Sequence, residues 1–166
     1  FGAEPAPEEA FAEGTSRPQL WTAEGSLRWP LEFWGLKWRY DGIWRAQWNR
    51  TPLVPQDRFS IGGRYTVRGF DGDSVLMAER GFLVRNDLAL QLGDIGQELY
   101  IGIDHGRVGG RTADQLVGRA LTGTVLGLRG GYGPFGWDVF IGTPVSRPEG
   151  FKTAAHTAGF NVNWGF

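Results

Sequence analysis

Apolar and polar side chains alternate along most of this 166-residue chain, and a repeat of two residues is typical of half-buried β-strands. In residues 38–49 one face reads Trp38, Tyr40, Gly42, Trp44, Ala46 and Trp48, and the other reads Arg39, Asp41, Ile43, Arg45, Gln47 and Asn49. The same pattern predicts seven strands, at residues 26–33, 38–49, 81–92, 98–108, 121–131, 137–143 and 157–166. Helix signals are almost absent, so the predicted fold class is all-β.

The connections between the predicted strands alternate between short and long. Short turns fall at residues 34–35, 93–97 and 131–136, and long polar segments fall at 51–80, 109–120 and 144–156. A soluble β-sandwich has no reason to collect every long loop at one end. An outer-membrane barrel does, because its periplasmic turns are tight and its extracellular loops are long. The alternation therefore predicts a transmembrane antiparallel β-barrel of the outer-membrane type.

Two tryptophans provide a length check on this prediction. Trp38 and Trp48 are ten residues apart, which is roughly 33 Å along a strand at about 3.3 Å per residue. At a tilt of about 40° this length projects to roughly 25 Å, the height of the lipid-facing band of such barrels. Since indole rings favour the headgroup boundary, we expect Trp38 and Trp48 to lie in the two aromatic girdles.

An odd number of strands predicts a partial barrel. Single-chain bacterial barrels use even numbers from eight upward, and an open sheet edge cannot lie in lipid. We therefore expect residues 1–166 to form the C-terminal portion of one β-barrel domain. In this division residues 1–25 belong to an extracellular loop, 26–50 form a strand pair, 51–80 form a long loop and 81–166 form the five C-terminal strands.

Composition narrows the function classes further. The chain contains no Cys and only two His, its formal net charge is −1, and it has no apolar run of about 18 residues. These features exclude a disulfide scaffold, a cysteine zinc site and a transmembrane helix, and they argue against nucleic-acid binding. His105 falls on the lipid side of its strand, and no catalytic triad, phosphate loop or metal-ligand spacing is found. We expect no enzymatic activity, no cofactor and no metal.

A set of short motifs in fixed order carries a family resemblance. Residues 55–59 read PQDRF, residues 62–63 are Gly-Gly, the tetrapeptide Val67-Arg68-Gly69-Phe70 follows, and residues 79–81 read ERG. Residues 100–108 then read YIGIDHGRV, and residues 161–166 read NVNWGF. Together these elements resemble the two-partner secretion translocators of the TpsB type, the haemolysin secretion/activation family ShlB/FhaC/HecB.

The resemblance implies a sixteen-stranded barrel of which this chain holds the last seven strands. It implies that the loop carrying VRGF folds back into the barrel lumen, and that the barrel lies in the outer membrane of a Gram-negative bacterium. The implied function is a pore that secretes a large partner exoprotein, such as an adhesin, a haemolysin or a contact-dependent toxin. Outer-membrane lipid and, during biogenesis, the barrel-assembly machinery are further implied partners, and we expect the complete barrel to be monomeric.

The alternation of side chains between the two faces of the strand at 98–108 indicates where the loop docks. Leu99, Ile101 and Ile103 share its apolar face, so Asp104 faces the lumen with Tyr100, Gly102 and Gly106. We expect the loop tip, residues 67–70, to dock through a charge-assisted pair between Arg68 and Asp104. Such a pair contributes about 1–3 kcal/mol, whereas ordering each loop residue costs about 1 kcal/mol or more. We therefore expect Phe59, Tyr65, Phe70 and Leu76 to pack against the lumen wall as well.

Further residues are predicted to line the pore and to assist assembly. The charged residues on polar or alternate strand faces are Arg28, Glu32, Arg39, Asp41, Arg45, Arg85, Asp87 and Arg129. A wall of mixed charge suits water and an extended polypeptide. Trp164 and Phe166, on the last alternating strand, resemble the recognition signal of the machinery that inserts outer-membrane barrels.

Three alternatives to a secretion pore remain open at the level of sequence. A relative of the barrel-assembly insertases would share both the strands and the VRGF loop. A passive porin would share the strands without the loop and its facing aspartate. A soluble, Trp-rich carbohydrate-binding domain is the least favoured reading.

Overall fold

A computed structural model describes residue 15, residues 17–93 and residues 96–165, and the elements that follow are those of these ranges. The strands are β1 (Leu20–Phe33), β2 (Leu36–Asn49), β3 (Phe59–Ile61), β4 (Leu76–Ala78), β5 (Arg80–Leu92), β6 (Gln97–Gly109), β7 (Ala120–Tyr132), β8 (Phe135–Ser146) and β9 (Thr157–Trp164). Short 3-10 helices span Pro55–Asp57 and Arg111–Gln115. No helix of the described residues is long and apolar enough to cross a membrane.

Seven strands of the described ranges form one antiparallel sheet in the order β1-β2-β5-β6-β7-β8-β9. The two remaining strands, β3 and β4, pair with each other in the long connection between β2 and β5. Each long strand therefore lies beside its neighbours in sequence, as in an up-and-down meander. The all-β, antiparallel prediction is confirmed.

The first strand is longer than the sequence pattern indicated. We expected residues 1–25 to belong to a loop, but β1 begins at Leu20, and Trp21 lies opposite Trp48 of β2. The prediction for residues 20–25 was wrong because small residues, Ala23 and Gly25, stand at the apolar positions and weaken the alternation. Pairing with β2 continues the strand, and the ion pair between Arg45 and Glu24 (2.8 Å) lies across this added length.

The short turns and the long loops lie at opposite ends of the strands, as predicted. The turn between β1 and β2 consists of Trp34 and Gly35, with φ of 57° and 69°. Two successive positive φ values are those of a type I′ hairpin turn, whose twist matches that of the flanking strands. At the other end, residues 50–79, 110–119 and 147–156 connect the strands. We call these the 50–79 loop, the 110–119 loop and the 147–156 loop.

The two faces of the sheet differ in chemistry. We call the face that the 50–79 loop covers the inner face, and the opposite face the outer face. Exposed apolar side chains of the outer face include Trp21, Leu27, Trp29, Leu99, Ile101, Ile103, Leu126, Val139, Ile141, Phe160 and Val162. Soluble monomers rarely expose an apolar surface this continuous. The outer face therefore matches the lipid-facing side of the predicted barrel.

Adjacent positions on β9 test this assignment. Phe160 is 77% exposed on the outer face, whereas Asn161 lies on the inner face opposite Asp138. We expect Phe160→Lys in the full-length protein to lower stability in lipid by about 2–4 kcal/mol, the cost of a lysine near the bilayer midplane. The matched change Asn161→Lys should have little effect. Urea unfolding in lipid vesicles measures both, and equal effects would contradict the assignment of the two faces.

Candidate functional site

The 50–79 loop forms the main buried core of the described structure together with the inner face of the sheet. Loop residues Phe59, Ile61 and Leu76 lie in one apolar cluster with wall residues Leu83 and Leu121. The remaining members of the cluster are Val67, Phe70, Ala78, Val108, Ala113 and Phe151. An otherwise polar connection is thus held on the sheet by apolar burial, which is the dominant favourable contribution to packing.

Three of the four predicted packing residues of the loop are buried, and one is not. Phe59, Phe70 and Leu76 are at most 7% exposed, whereas Tyr65 is 77% exposed. The prediction for Tyr65 was wrong because a tight turn directs it away from the wall. In this turn the hydroxyl of Thr66 accepts hydrogen bonds from the N–H groups of Gly62 and Gly63 (both 3.1 Å). Beside Tyr65, the exposed guanidinium of Arg64 lies 5.1 Å from its ring centroid.

Arg68 and Asp104 meet at the centre of the inner face. The guanidinium donates through Nε to Asp104 Oδ2 (2.8 Å) and through Nη2 to Oδ1 (2.7 Å), which is bidentate geometry. The backbone N–H of Arg68 donates to the same Oδ2 (2.9 Å). Both residues are at most 3% exposed. The structure therefore brings the two predicted partners together, and bidentate charge-assisted pairs are among the strongest polar contacts in proteins.

A second carboxylate, Asp87, also binds Arg68. The Arg68 Nη2 lies 2.5 Å from Asp87 Oδ1, and Nη1 lies 3.3 Å from Oδ2. Burial favours a lower pKa of Arg68, but its hydrogen bonds to Asp104 and then to Asp87 outweigh it and hold the pKa above its ordinary value. Sequence reasoning placed Asp87 among the pore charges without linking it to the loop. The link comes from the register of β5 and β6 in the structure, which places Asp87 opposite Gly102 and next to Asp104 on the same face.

Glycines of the wall make room for the loop tip. A Cβ at Gly123 of β7 would overlap the carbonyl oxygen of Arg68, and a Cβ at Gly102 of β6 would lie 2.8 Å from Arg68 Nη2. On β8, a Cβ at Gly142 would lie 2.9 Å from the Cα of Gly69. Gly69 itself has φ of 99° and faces the carbonyl of Thr143, a conformation that other residues rarely adopt. Small residues on three adjacent strands thus let the backbone of the tip approach the wall closely.

Tyr100 closes one side of the site. Its hydroxyl donates to Asp138 Oδ1 (2.8 Å), and its ring occupies the space above Gly127, where a Cβ would overlap it. The guanidinium of Arg129 lies 4.7 Å from the ring centroid and that of Arg68 lies 5.9 Å from it. Tyr100 therefore borders the site through its ring and makes its hydrogen bond to Asp138.

A network of alternating charges extends from this site across the inner face. Arg129 donates to Glu98 (2.9 Å), to Asp41 (2.7 Å) and to Asp87 (3.3 Å). Asp41 also accepts from Arg39 (2.9 Å) and from Arg28 (3.0 Å). Sequence reasoning found the wall charges by parity but did not include Glu98, the first polar position of its strand. Each buried charge of the network has opposite charges beside it, as low-dielectric sites require.

The 147–156 loop and the 110–119 loop, which lie at the same end of the sheet, both contact the 50–79 loop. Phe151 packs against Phe70 with ring centroids 5.8 Å apart. Asp71 accepts hydrogen bonds from the N–H of Ala154 (2.7 Å) and the hydroxyl of Thr153 (3.2 Å), and chiefly the former keeps its pKa below the ordinary value. The docked loop is therefore held by both the wall and the 147–156 loop.

The 110–119 loop makes the corresponding contact at the base of the 50–79 loop. The carboxylate of Glu79 accepts from the backbone N–H of Thr112 (3.2 Å) and from its hydroxyl (3.0 Å). Glu79 is only 4% exposed. Its carboxylate thereby satisfies the first turn of the 3-10 helix at Arg111–Gln115, so the last residue before β5 is tied to this loop.

The predicted girdle and assembly residues lie apart from this site. Trp38 and Trp48 are on the outer face at opposite ends of β2, and the Trp38 ring stacks on Phe33 at 4.8 Å. Trp164 is 56% exposed on the outer face, and its ring meets that of Phe135 edge-on at 4.0 Å. Phe166 lies outside the described residues.

The histidine of β6 lies away from the site on the inner face. His105 projects from the outer face, where its Nδ1 lies 2.8 Å from the hydroxyl of Thr122. Within residues 17–93 and 96–165, no group of three or more His, Asp or Glu side chains is arranged to hold a metal ion. The contacts of Arg68 with Asp104 on the inner face are those of a docked loop.

Comparison with known proteins links this arrangement to one family. The model of the haemolysin secretion/activation protein family ShlB/FhaC/HecB matches residues 1–130. The outer membrane transporter CdiB-2 of Burkholderia pseudomallei (strain 1026b) is 38% identical over 91% of this chain and 27% of its own length. The outer membrane transporter CdiB of Dickeya dadantii (strain 3937) is 25% identical over 100% of this chain and 30% of its own length.

Solved structures agree with these matches. CdiB from Acinetobacter baumannii superposes with a TM-score of 0.81 at 36% identity, covering 90% of this chain and 27% of that one. CdiB from Escherichia coli, at 22% identity, has the same fold, with a TM-score of 0.81 over 99% of this chain and 31% of that one. The chain thus spans 27–31% of the length of these relatives.

The close approach at Gly123 yields a prediction. In the full-length protein, Gly123→Ala should displace the loop tip, because the new methyl group overlaps the Arg68 carbonyl; overpacking of this kind costs about 1–3 kcal/mol. Gly109→Ala is the matched control, since its Cβ would have only an ordinary contact, 3.7 Å from Arg80. Protease sensitivity of the 50–79 loop measures displacement. Equal protection of the loop in the two variants would contradict the assigned contact.

Proposed function

Since the chain belongs to the haemolysin secretion/activation family ShlB/FhaC/HecB, we propose that the protein it represents is a pore that secretes a large partner exoprotein across the outer membrane. The predicted transmembrane β-barrel fold and the outer-membrane location in a Gram-negative bacterium are confirmed by the family and by the named transporters. The partner is an adhesin, a haemolysin or a contact-dependent toxin. The role proposed for the pore protein is transport of this partner rather than catalysis.

The observation that carries the proposal is the loop docked on the pore side of the sheet. A pore whose inner wall is covered by its own loop must move that loop to pass a polypeptide. The loop is attached through ion pairs, hydrogen bonds and apolar contacts, all of which are reversible. Arg68, held between Asp104 and Asp87, is the central attachment.

The mixed charges of the inner face support the same function. Arg28, Arg39 and Arg129 alternate there with Asp41 and Glu98 in mutual ion pairs. Such a wall attracts water without presenting one strong field of either sign. An extended polypeptide can therefore pass without being held tightly.

A complete pore requires strands beyond those described. In residues 17–93 and 96–165, β1 and β9 each pair with one neighbouring strand and not with each other. Unpaired backbone groups in hydrocarbon cost several kcal/mol each, so both edges must be covered in the membrane. We therefore place the seven strands in a larger closed barrel, of sixteen strands in the family to which the chain belongs, and expect it to act as a monomer.

A strain lacking the full-length protein tests the function. We expect one large exoprotein to disappear from the medium and to return on complementation with the wild type. Arg68→Ala should not restore it at equal barrel abundance, because the loop tip loses its bidentate contact with Asp104 and its contact with Asp87. Asp104→Arg should fail in the same way. Arg64→Ala, an exposed arginine of the same loop, is the control and should restore secretion.

The other outcomes of this experiment separate the alternatives. Depletion of many outer-membrane barrels, with no single exoprotein lost, would identify an assembly insertase. Unchanged secretion and unchanged barrel levels would indicate a passive porin. Full secretion by Arg68→Ala would show that the docked loop has no part in export.

Contact with lipid and with the barrel-assembly machinery completes the proposal. We expect Trp38 and Trp48 to sit at the two headgroup boundaries, and Trp164 with Phe166 to act in recognition by the assembly machinery. Trp164→Ala should therefore lower the amount of folded barrel in the outer membrane several-fold. Trp29→Ala, which removes an exposed indole from the outer face of β1, is the control for loss of an aromatic ring. Equal levels of the two variants would argue against a recognition role.

A further inference from the structure

Arg85 is a second arginine beside Asp104, and its guanidinium is incompletely bound. It lies directly opposite Asp104 in the register of β5 and β6, on the inner face. Its Nε is 3.6 Å from Asp104 Oδ2, within range of an ion pair but beyond that of a good hydrogen bond. Among the described residues this Nε is buried and has no hydrogen-bond partner.

The reason is that Arg68 already occupies the carboxylate. Asp104 Oδ2 accepts from the backbone N–H and the Nε of Arg68, and Oδ1 accepts from Nη2 of the same residue. Two guanidinium groups therefore compete for one carboxylate, and their like charges repel. A buried donor without a partner carries a desolvation cost. In the docked state Arg85 bears this cost, whereas Arg68 has its hydrogen bonds to Asp104.

Withdrawal of the loop would reverse this situation. Asp104 would lose all three hydrogen bonds from Arg68, and an unpaired carboxylate in this place would be costly. Arg129 is already bound to Glu98, Asp41 and Asp87, so Asp87 would keep a cation. Arg85 is the cation that the wall itself places within 4 Å of Asp104 in the described structure.

We propose that Arg85 is a positioning residue that takes over Asp104 when Arg68 leaves with the loop, and so keeps the docked and withdrawn states close in free energy. The inference rests on the proposed function only in that the loop must move for export. Arg85 would thus oppose docking in one state and replace the lost ion pair in the other. Both effects make withdrawal easier.

The two possible roles of Arg85 predict opposite changes in loop withdrawal when its side chain is removed. If Arg85 only strengthened the docked site by attraction to Asp104, its removal would loosen the loop. If it exchanges with Arg68, its removal makes the loop leave less often. A measurement of loop withdrawal therefore distinguishes the two roles.

Cysteine labelling of the full-length protein in outer membranes provides this measurement. This chain contains no Cys, and any Cys elsewhere in the protein is first replaced. Val67, adjacent to Arg68, is 0% exposed when docked, so Val67→Cys reacts with a membrane-impermeant maleimide only when the loop withdraws. Tyr65→Cys, at a position already 77% exposed, reports access of the reagent and correct assembly of the barrel.

We expect Arg85→Gln to slow labelling at position 67 by about fivefold, which corresponds to about 1 kcal/mol in the docking equilibrium. Labelling at position 65 should not change. Arg85→Lys should label at nearly the original rate, because it keeps a cation opposite Asp104. Unchanged or faster labelling at position 67 in Arg85→Gln would overturn the proposal.

The labelling result does not depend on whether an exoprotein is secreted. Slower labelling together with normal secretion from a deletion strain would leave the Arg85 inference standing and refute the proposed function. Loss of secretion in the deletion strain with unchanged labelling in Arg85→Gln would refute the inference alone.

Discussion

A guanidinium buried on the inner face of a sheet requires anions at defined positions, and the arrangement around Arg68 follows from that requirement. Asp104 and Asp87 supply the charge from adjacent strands, and the backbone N–H of Arg68 adds a further bond to Asp104. Because these groups must meet within hydrogen-bond distance, the loop has little freedom at its tip. The contact determines where the tip lies, although it does not supply most of the binding energy.

Apolar burial and small wall residues make that contact possible. Phe59, Ile61, Phe70 and Leu76 are almost fully removed from solvent, and this burial offsets the entropy lost when the loop is ordered. Glycines on the wall strands let the tip come close enough for bidentate pairing. Docking is therefore a joint result of packing, space and charge. A structure held by several moderate contacts is suited to a loop that must be released.

Electrostatic competition gives this site two possible arrangements. Arg85 and Arg129 flank the carboxylates that hold Arg68, so the wall carries cations able to replace it. A site with one cation would bind the loop more tightly and release it less readily. The second cation beside Asp104 therefore bears on withdrawal of the 50–79 loop. The bidentate pair of Arg68 with Asp104 describes only the docked state.

The fold class and the ends of most strands could be predicted because alternation of side chains is a local property. The same parity assigned Trp48 to the outer face and Asp104 to the inner face, and the family motifs indicated the pair of Arg68 with Asp104. Residues 20–25 escaped this reasoning because Ala23 and Gly25 are too small to mark an apolar face. Their strand conformation comes from pairing with β2.

The strand register and the geometry of the loop could not be predicted from the local pattern of residues. The role of Asp87 depends on which residue of β6 lies opposite it, and a shift of pairing by one position would move it to the other face. Tyr65 is a large aromatic residue of the kind that packs in cores, but hydrogen bonds within its own turn direct it to solvent. Local residue order thus determines the strands, their faces and the identity of the docking loop. Tertiary pairing decides which charges meet, because side chains distant in the sequence become neighbours only once the strands are aligned.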